Sequence, residues 1–123
     1  MPTRNNLVLG KYGEEAASKY LKSQGYKILE RNFRKSYSEI DLVALDGKTL
    51  VIIEVKTRIG DKYGLPEEAI TPRKLRSLTK AAYYYQMLHP KLPESLRIDV
   101  VSVNLGEDFQ VLDIRLYKNI TGG

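Results

Sequence analysis

Between residues 7 and 24 small or apolar side chains recur every three or four positions. Leu9, Gly13, Ala16, Ala17, Tyr20 and Leu21 fall on one face of a helix, and Gly25 supplies a stop. The period then changes. Residues 26–33, 37–45 and 48–58 read as three strands, and Leu50-Val51-Ile52-Ile53 is apolar on both faces, as an interior strand requires. Between the second and third strands, Asp46-Gly47 is a short-hairpin signal. A loop with Gly60 and Gly64 follows. Thr71 and Pro72 offer an N-cap and first residue for a second helix running to about Leu88, with Leu75, Leu78, Ala82 and Tyr85 turned inward. Residues 97–104 and 109–117 read as two more strands around Gly106. The order αβββαββ predicts an α/β protein with a mixed central β-sheet flanked by helices. All 123 residues are assigned to a single domain whose core spans about 7–117.

Composition narrows the chemistry. The chain has no cysteine, which excludes disulfides, thiolate zinc sites and cysteine nucleophiles. Its single histidine, His89, gives no basis for a Ser-His triad or a multi-histidine metal site. A metal would have to be held by oxygen, which favours Mg²⁺ or Mn²⁺ over zinc. The net charge of +5 suits a polyanionic partner without establishing one. No run of about 18 apolar residues and no signal-like opening occur, so a cytoplasmic protein without a membrane partner is expected.

Hairpin geometry then tests whether the acids can meet. A two-residue loop at Asp46-Gly47 sets Asp41 opposite Ile52 and Glu39 opposite Glu54. Side chains alternate along a strand, so Glu39, Asp41, Glu54, Lys56 and Arg58 are expected on one face. Asp41 and Glu54 would lie diagonally, roughly 7–8 Å apart at the backbone, close enough to converge on one cation. Charges on one sheet face are ordinarily a solvated face. Beside so apolar a run they are costly unless paired or metal-bound, and Glu39 facing Glu54 would be repulsive without a cation. Salt bridges from Lys56 and Arg58 would relieve part of this; a divalent ion would relieve all of it. On the second reading Asp41 and Glu54 coordinate Mg²⁺, the Val55 carbonyl is a third ligand, and Lys56 stabilises developing charge during phosphodiester hydrolysis.

Basic residues supply candidate phosphate contacts. Arg73 and Lys74 stand in the first turn of the second helix, where positive charge opposes the helix dipole, a placement that suits a docked phosphate. Arg76 and Lys80 continue that face, and Arg31, Arg34, Lys35 and Arg58 are further candidates. A solvated helix face is the plain alternative. Such contacts would position a backbone and not read bases.

Asp41 followed by Glu54-Val55-Lys56 resembles the PD-(D/E)xK nuclease signature. A longer string is more specific: Gly10-x-x-Gly13-Glu14, Gly25-Tyr26, Arg31-Asn32-Phe33-Arg34, Glu39-Ile40-Asp41-Leu42, Val51 to Arg58, Lys74, and Arg97-Ile98-Asp99-Val100. Together these resemble the YraN-like family of bacterial proteins, similar to archaeal Holliday junction resolvases. The resemblance implies a restriction-endonuclease-like fold and a metal-dependent endonuclease acting on DNA more than RNA, with branched or structured DNA as candidate substrate. It also implies Glu14 as a catalytic member beside Asp41, Glu54 and Lys56, because resolvase-like nucleases carry a glutamate at this distance before a Gly-aromatic pair. Ile40 replaces the motif's proline and Ser38 the family's usual glycine; neither change removes a ligand. Resolvases act as homodimers, although no stripe here establishes one, and Asp99 is open between an acid behind the ligands and a plain strand residue. The alternative function is a nucleic-acid-binding module on the same fold that does not cleave.

Overall fold

A computed structural model describes residues 4–36, 38–60 and 70–121, with side chains from Leu7 onward. Helix α1 (Arg4–Ser23) is followed by β1 (Lys27–Lys35), β2 (Ser38–Asp46) and β3 (Thr49–Ile59). Helix α2 (Pro72–Leu88), β4 (Leu96–Leu105) and β5 (Val111–Tyr117) follow among the described residues. The five strands form one mixed sheet in sequence order, with β3 and β4 parallel and every other pair antiparallel. The α/β class is therefore observed, as is the order αβββαββ among the described residues; Gly64 of the expected loop lies outside them. No helix among the described residues is long and apolar enough to cross a membrane.

The helices take opposite faces. Ala17 and Leu21 of α1 pack with Leu42, Ala44, Val51, Ile53, Val101 and Val103. Leu78, Ala81, Ala82 and Tyr85 of α2 pack with Ile40, Val43, Leu50, Ile52 and Ile98. This two-sided burial explains why residues 50–53 are apolar without interruption. Local signals set the helix ends. The Thr71 hydroxyl accepts from the Lys74 N–H at 3.1 Å, with Pro72 opening the first turn. Gly25, at φ +92°, closes α1, and the Tyr26 N–H returns to the Leu21 carbonyl at 2.9 Å.

The hairpin register differs from expectation. Asp46 pairs with Thr49, leaving Gly47-Lys48 as the loop, and the ladder runs back to Leu42 opposite Ile53. Gly47 has φ +59°, the first loop position at which a type II′ turn takes glycine. Glu39 is therefore not opposite Glu54, nor Asp41 opposite Ile52. The displacement is two residues, so the parity linking Asp41 to Glu54 survives it.

Two interactions fix the sheet's surroundings. A Cβ on Gly13 would stand 1.8 Å from Thr57 Oγ1, so only glycine lets α1 lie this close to β3. Gly13→Ala is expected to lower stability by about 1–3 kcal/mol, and Thr57→Ala in the same chain to recover part of it in thermal denaturation. Asp99, fully buried, accepts from Tyr26 Oη at 2.9 Å, Arg97 Nε at 2.9 Å and the Asn119 N–H at 2.9 Å. Arg97 continues to Asp46 at 2.7 Å. These bonds tie β4 to the end of α1, the β2–β3 hairpin and the segment after β5. Asp99→Ala, which leaves Arg97 without its buried partner, should cost about 3–5 kcal/mol in denaturant unfolding.

Candidate active site at a fork in the sheet

The β2–β3 ladder stops at Leu42 and Ile53. Beyond that point β2 pairs with β1 as far as Ser38, while β3 pairs with β4 as far as Ile59. Asp41 stands at the crotch of this fork. Its Oδ2 accepts from the Val55 N–H at 2.8 Å, doing by side chain what a β2 carbonyl does lower in the ladder. Alternation also breaks here: Ile40 packs on the α2 side and Leu42 on the α1 side, although they are two residues apart. Asp41 thus borders both faces of the sheet.

Glu54 is the next residue along β3 after the ladder ends, and it is only 5% exposed. Its neighbours Leu50 and Ile52 place it on the α2 side. Burial, and then the Asp41 carboxylate within hydrogen-bonding reach, push the Glu54 carboxyl up to about 8; Lys74 and Lys56 pull the other way. Glu54 Oε2 is buried with no hydrogen-bond donor among the described residues. Lys74 Nζ lies 3.4 Å from it, an ion pair without hydrogen-bond geometry. The regular β3–β4 register keeps Lys56 and Arg58 on the Glu54 face.

Glu39 does not join that group. It pairs with Arg34 across β1–β2, its carboxylate 3.2 Å from the Arg34 guanidinium, and it lines a cleft with Glu14, Lys11 and Asn32 on the α1 side. The broken alternation at Asp41 sends it there. Glu14 lies in the same cleft and faces Asp41 from across the fork. Burial and the charge of Asp41 raise the Glu14 carboxyl, and a hydrogen bond from Asn32 partly offsets them. Asn32 has φ +55°, a left-handed conformation that non-glycine residues adopt at some cost and that clusters at functional sites. Its contact with Glu14 was not foreseen from sequence, although Asn32 belongs to the Arg31–Arg34 motif that could have flagged it.

The basic candidates separate by surroundings. Arg73, Arg76 and Lys80 line one cleft with Ser36, Ser38 and Ser77, beside the first turns of α2. Lys35 sits over the Tyr84 ring at 4.3 Å, next to this cleft's helix. Arg31 instead holds α1, donating to Glu15 at 2.8 Å and Ser18 Oγ at 2.9 Å. Arg34 is engaged with Glu39, and Lys74 turns inward to Glu54. Sequence reasoning placed Lys74 among the outward phosphate contacts; its proximity to Glu54 depends on how α2 crosses the sheet, which no local pattern encodes.

Among the described residues no three acidic or imidazole side chains gather closely enough to cage an ion alone. The donor set does fit a hard cation that keeps several waters and takes two carboxylates, as Mg²⁺ does. A strand residue directs its N–H and C=O to the same neighbour, so the Val55 carbonyl faces the Asp41 side with its N–H. The buried Glu54 oxygen without a donor is the atom such a cation would satisfy.

Comparison with known proteins gives this arrangement relatives. The sequence model of Uncharacterised protein family UPF0102 matches residues 13–103, from Gly13 within α1 to Val103 near the end of β4. A UPF0102 protein of Syntrophomonas wolfei is 49% identical over 98 residues, covering 80% of this chain and 85% of its own. One from Caldicellulosiruptor saccharolyticus is 45% identical over 115 residues, covering 94% and 98%. Another, from Thermodesulfovibrio yellowstonii, is 50% identical over 99 residues, covering 80% and 87%. The chain belongs to UPF0102, the YraN-like family.

Proposed function

We propose that this protein is a Mg²⁺- or Mn²⁺-dependent endonuclease of PD-(D/E)xK type on a restriction-endonuclease-like fold, acting on DNA in preference to RNA. The observation that carries the reading is the pair of acids at the fork, with a buried Glu54 oxygen that has no donor and Asp41 beside it. Holding two carboxylates together in a buried place is unfavourable unless a proton or a cation intervenes. Asp41 and Glu54 would hold the ion, with the Val55 carbonyl as a third protein ligand. When bound, the metal polarises the scissile phosphate and makes its water more acidic.

The remaining roles belong to the chain. The Val55 N–H fixes Asp41, so the ligand geometry is set before substrate arrives. Lys56, on the Glu54 face, neutralises charge building on the phosphate oxygens. Glu14, its carboxyl raised by burial and by Asp41, is suited to pass a proton at the α1 edge of the fork. Arg73, Arg76 and Lys80 form a strip along which a phosphate backbone would lie, its contacts independent of sequence.

The test incubates the protein with linear, flapped, single-stranded and four-way-junction DNA in Mg²⁺, Mn²⁺ or EDTA. Cleavage is expected only with metal, and branched DNA is the preferred substrate. Retarded migration that falls steeply with salt, without cleavage in either metal, would select a nucleic-acid-binding module.

A further inference from the structure

Lys74 is the one basic residue of the α2 surface strip that the structure carries inward. It occupies the third position of the helix, its N–H is taken by the Thr71 cap, and its side chain is 41% exposed. Its neighbours Arg73, Arg76 and Lys80 line the outer cleft. Its ammonium instead meets Glu54 Oε2, the buried oxygen that lacks a hydrogen-bond donor. A hydrogen-bonded lysine would satisfy that oxygen. At 3.4 Å without donor geometry, Lys74 supplies charge but no directed bond. The half-exposed stem gives the ammonium a path to solvent, although Glu54 itself is buried.

We propose that Lys74 is a resident counter-cation, its ammonium standing in at Glu54 for the divalent ion and moving outward to the phosphate strip when that ion binds. The inference rests on the metal-site reading above. An ammonium and a divalent ion a few ångströms apart on one carboxylate repel strongly in so buried a setting, so the two do not share Glu54 comfortably. Lysine suits the exchange: it is a compact point charge on a flexible four-carbon stem. From the third residue of α2 its outward reach joins Arg73, Arg76 and Lys80. Loading of the ion would thus add one positive charge to the surface that faces the nucleic-acid backbone, while in the apo site the ammonium lies against the charge that Asp41 and Glu54 share.

The test follows the Lys74 ammonium directly. Lysine Nζ resonances of the full chain are recorded with and without Mg²⁺, the Lys74 signal being identified by its loss in Lys74→Arg. Calorimetry with Mn²⁺ is run in parallel on wild type, Lys74→Met and Glu54→Gln. The Lys74 signal should move on saturation with Mg²⁺ to the position that Glu54→Gln shows without metal, and Lys74→Met should bind Mn²⁺ about tenfold more tightly or better. Metal binding with an unmoved Lys74 signal would overturn the exchange while leaving the metal site intact. If wild type binds no metal but Lys74→Met does, Lys74 blocks the site without yielding it, and the exchange is overturned while the metal site is kept. If neither binds, the proposal falls together with the metal-site reading.

Discussion

Asp41→Asn is expected to weaken Mn²⁺ binding by about 100-fold or more while leaving the fold in place. The asparagine amide oxygen can still accept from the Val55 N–H at the fork, so the local backbone keeps its partner. What disappears is one of the two charges that face the ion. Asp41→Ala removes both functions and adds about 1–3 kcal/mol of destabilisation for a backbone donor left without its acceptor. The pair of variants therefore separates ligation from structure. Calorimetry reads the first and thermal denaturation the second. Equal metal affinity in wild type and Asp41→Asn would remove Asp41 from the ligand set.

Glu54→Gln is expected to change the pH dependence of stability in metal-free buffer by several kcal/mol. Burial and Asp41 raise the Glu54 carboxyl from 4.5 to about 8 in the folded chain. The folded state therefore holds its proton more tightly than the unfolded state. Stability from this group is fully present below pH 4.5 and is lost as pH rises through about 8, at about 1.4 kcal/mol per unit of difference. Glu14, raised for the same reasons, adds a slope of the same sign. Asp46, held low by its hydrogen bond to Arg97, acts oppositely and only in acid, where its contribution disappears as pH falls. Urea unfolding between pH 5 and 9 should show a falling wild-type stability and a much flatter Glu54→Gln profile. A wild-type profile as flat as the variant's would mean that Glu54 ionises freely.

Those expectations depend on a site whose parts were unequally legible in the sequence. Strand and helix order follows from periodicity and punctuation: Gly25 ends α1, Thr71-Pro72 begins α2, and uninterrupted residues 50–53 mark a strand covered on both faces. Placing Asp41 with Glu54 needed only the parity of one hairpin, and parity tolerates the two-residue displacement that Gly47-Lys48 introduces. The fate of Glu39 was hidden. Its side chain turns to α1 because alternation breaks at Asp41, and that break is a property of the fork, where a side chain replaces a ladder bond. Lys74 and Arg31 were read as solvent-facing charges, which is what helix and edge-strand patterns suggest. Their ties to Glu54 and Ser18 come from how the helices cross the sheet. Asp99 is settled likewise: its buried bonds to Tyr26, Arg97 and Asn119 join elements far apart in sequence, and it holds the fold together beneath the fork.

The measurement that bears most directly on the nuclease reading is single-turnover cleavage of a labelled four-way junction by wild type and Lys56→Ala. Each is assayed in Mg²⁺ and in EDTA, with the unfolding curves of both proteins matched beforehand. The account predicts cleavage by wild type in Mg²⁺, none in EDTA, and a loss of about 100-fold or more in Lys56→Ala. Cleavage that persists in EDTA, or at an unchanged rate in Lys56→Ala, would contradict it.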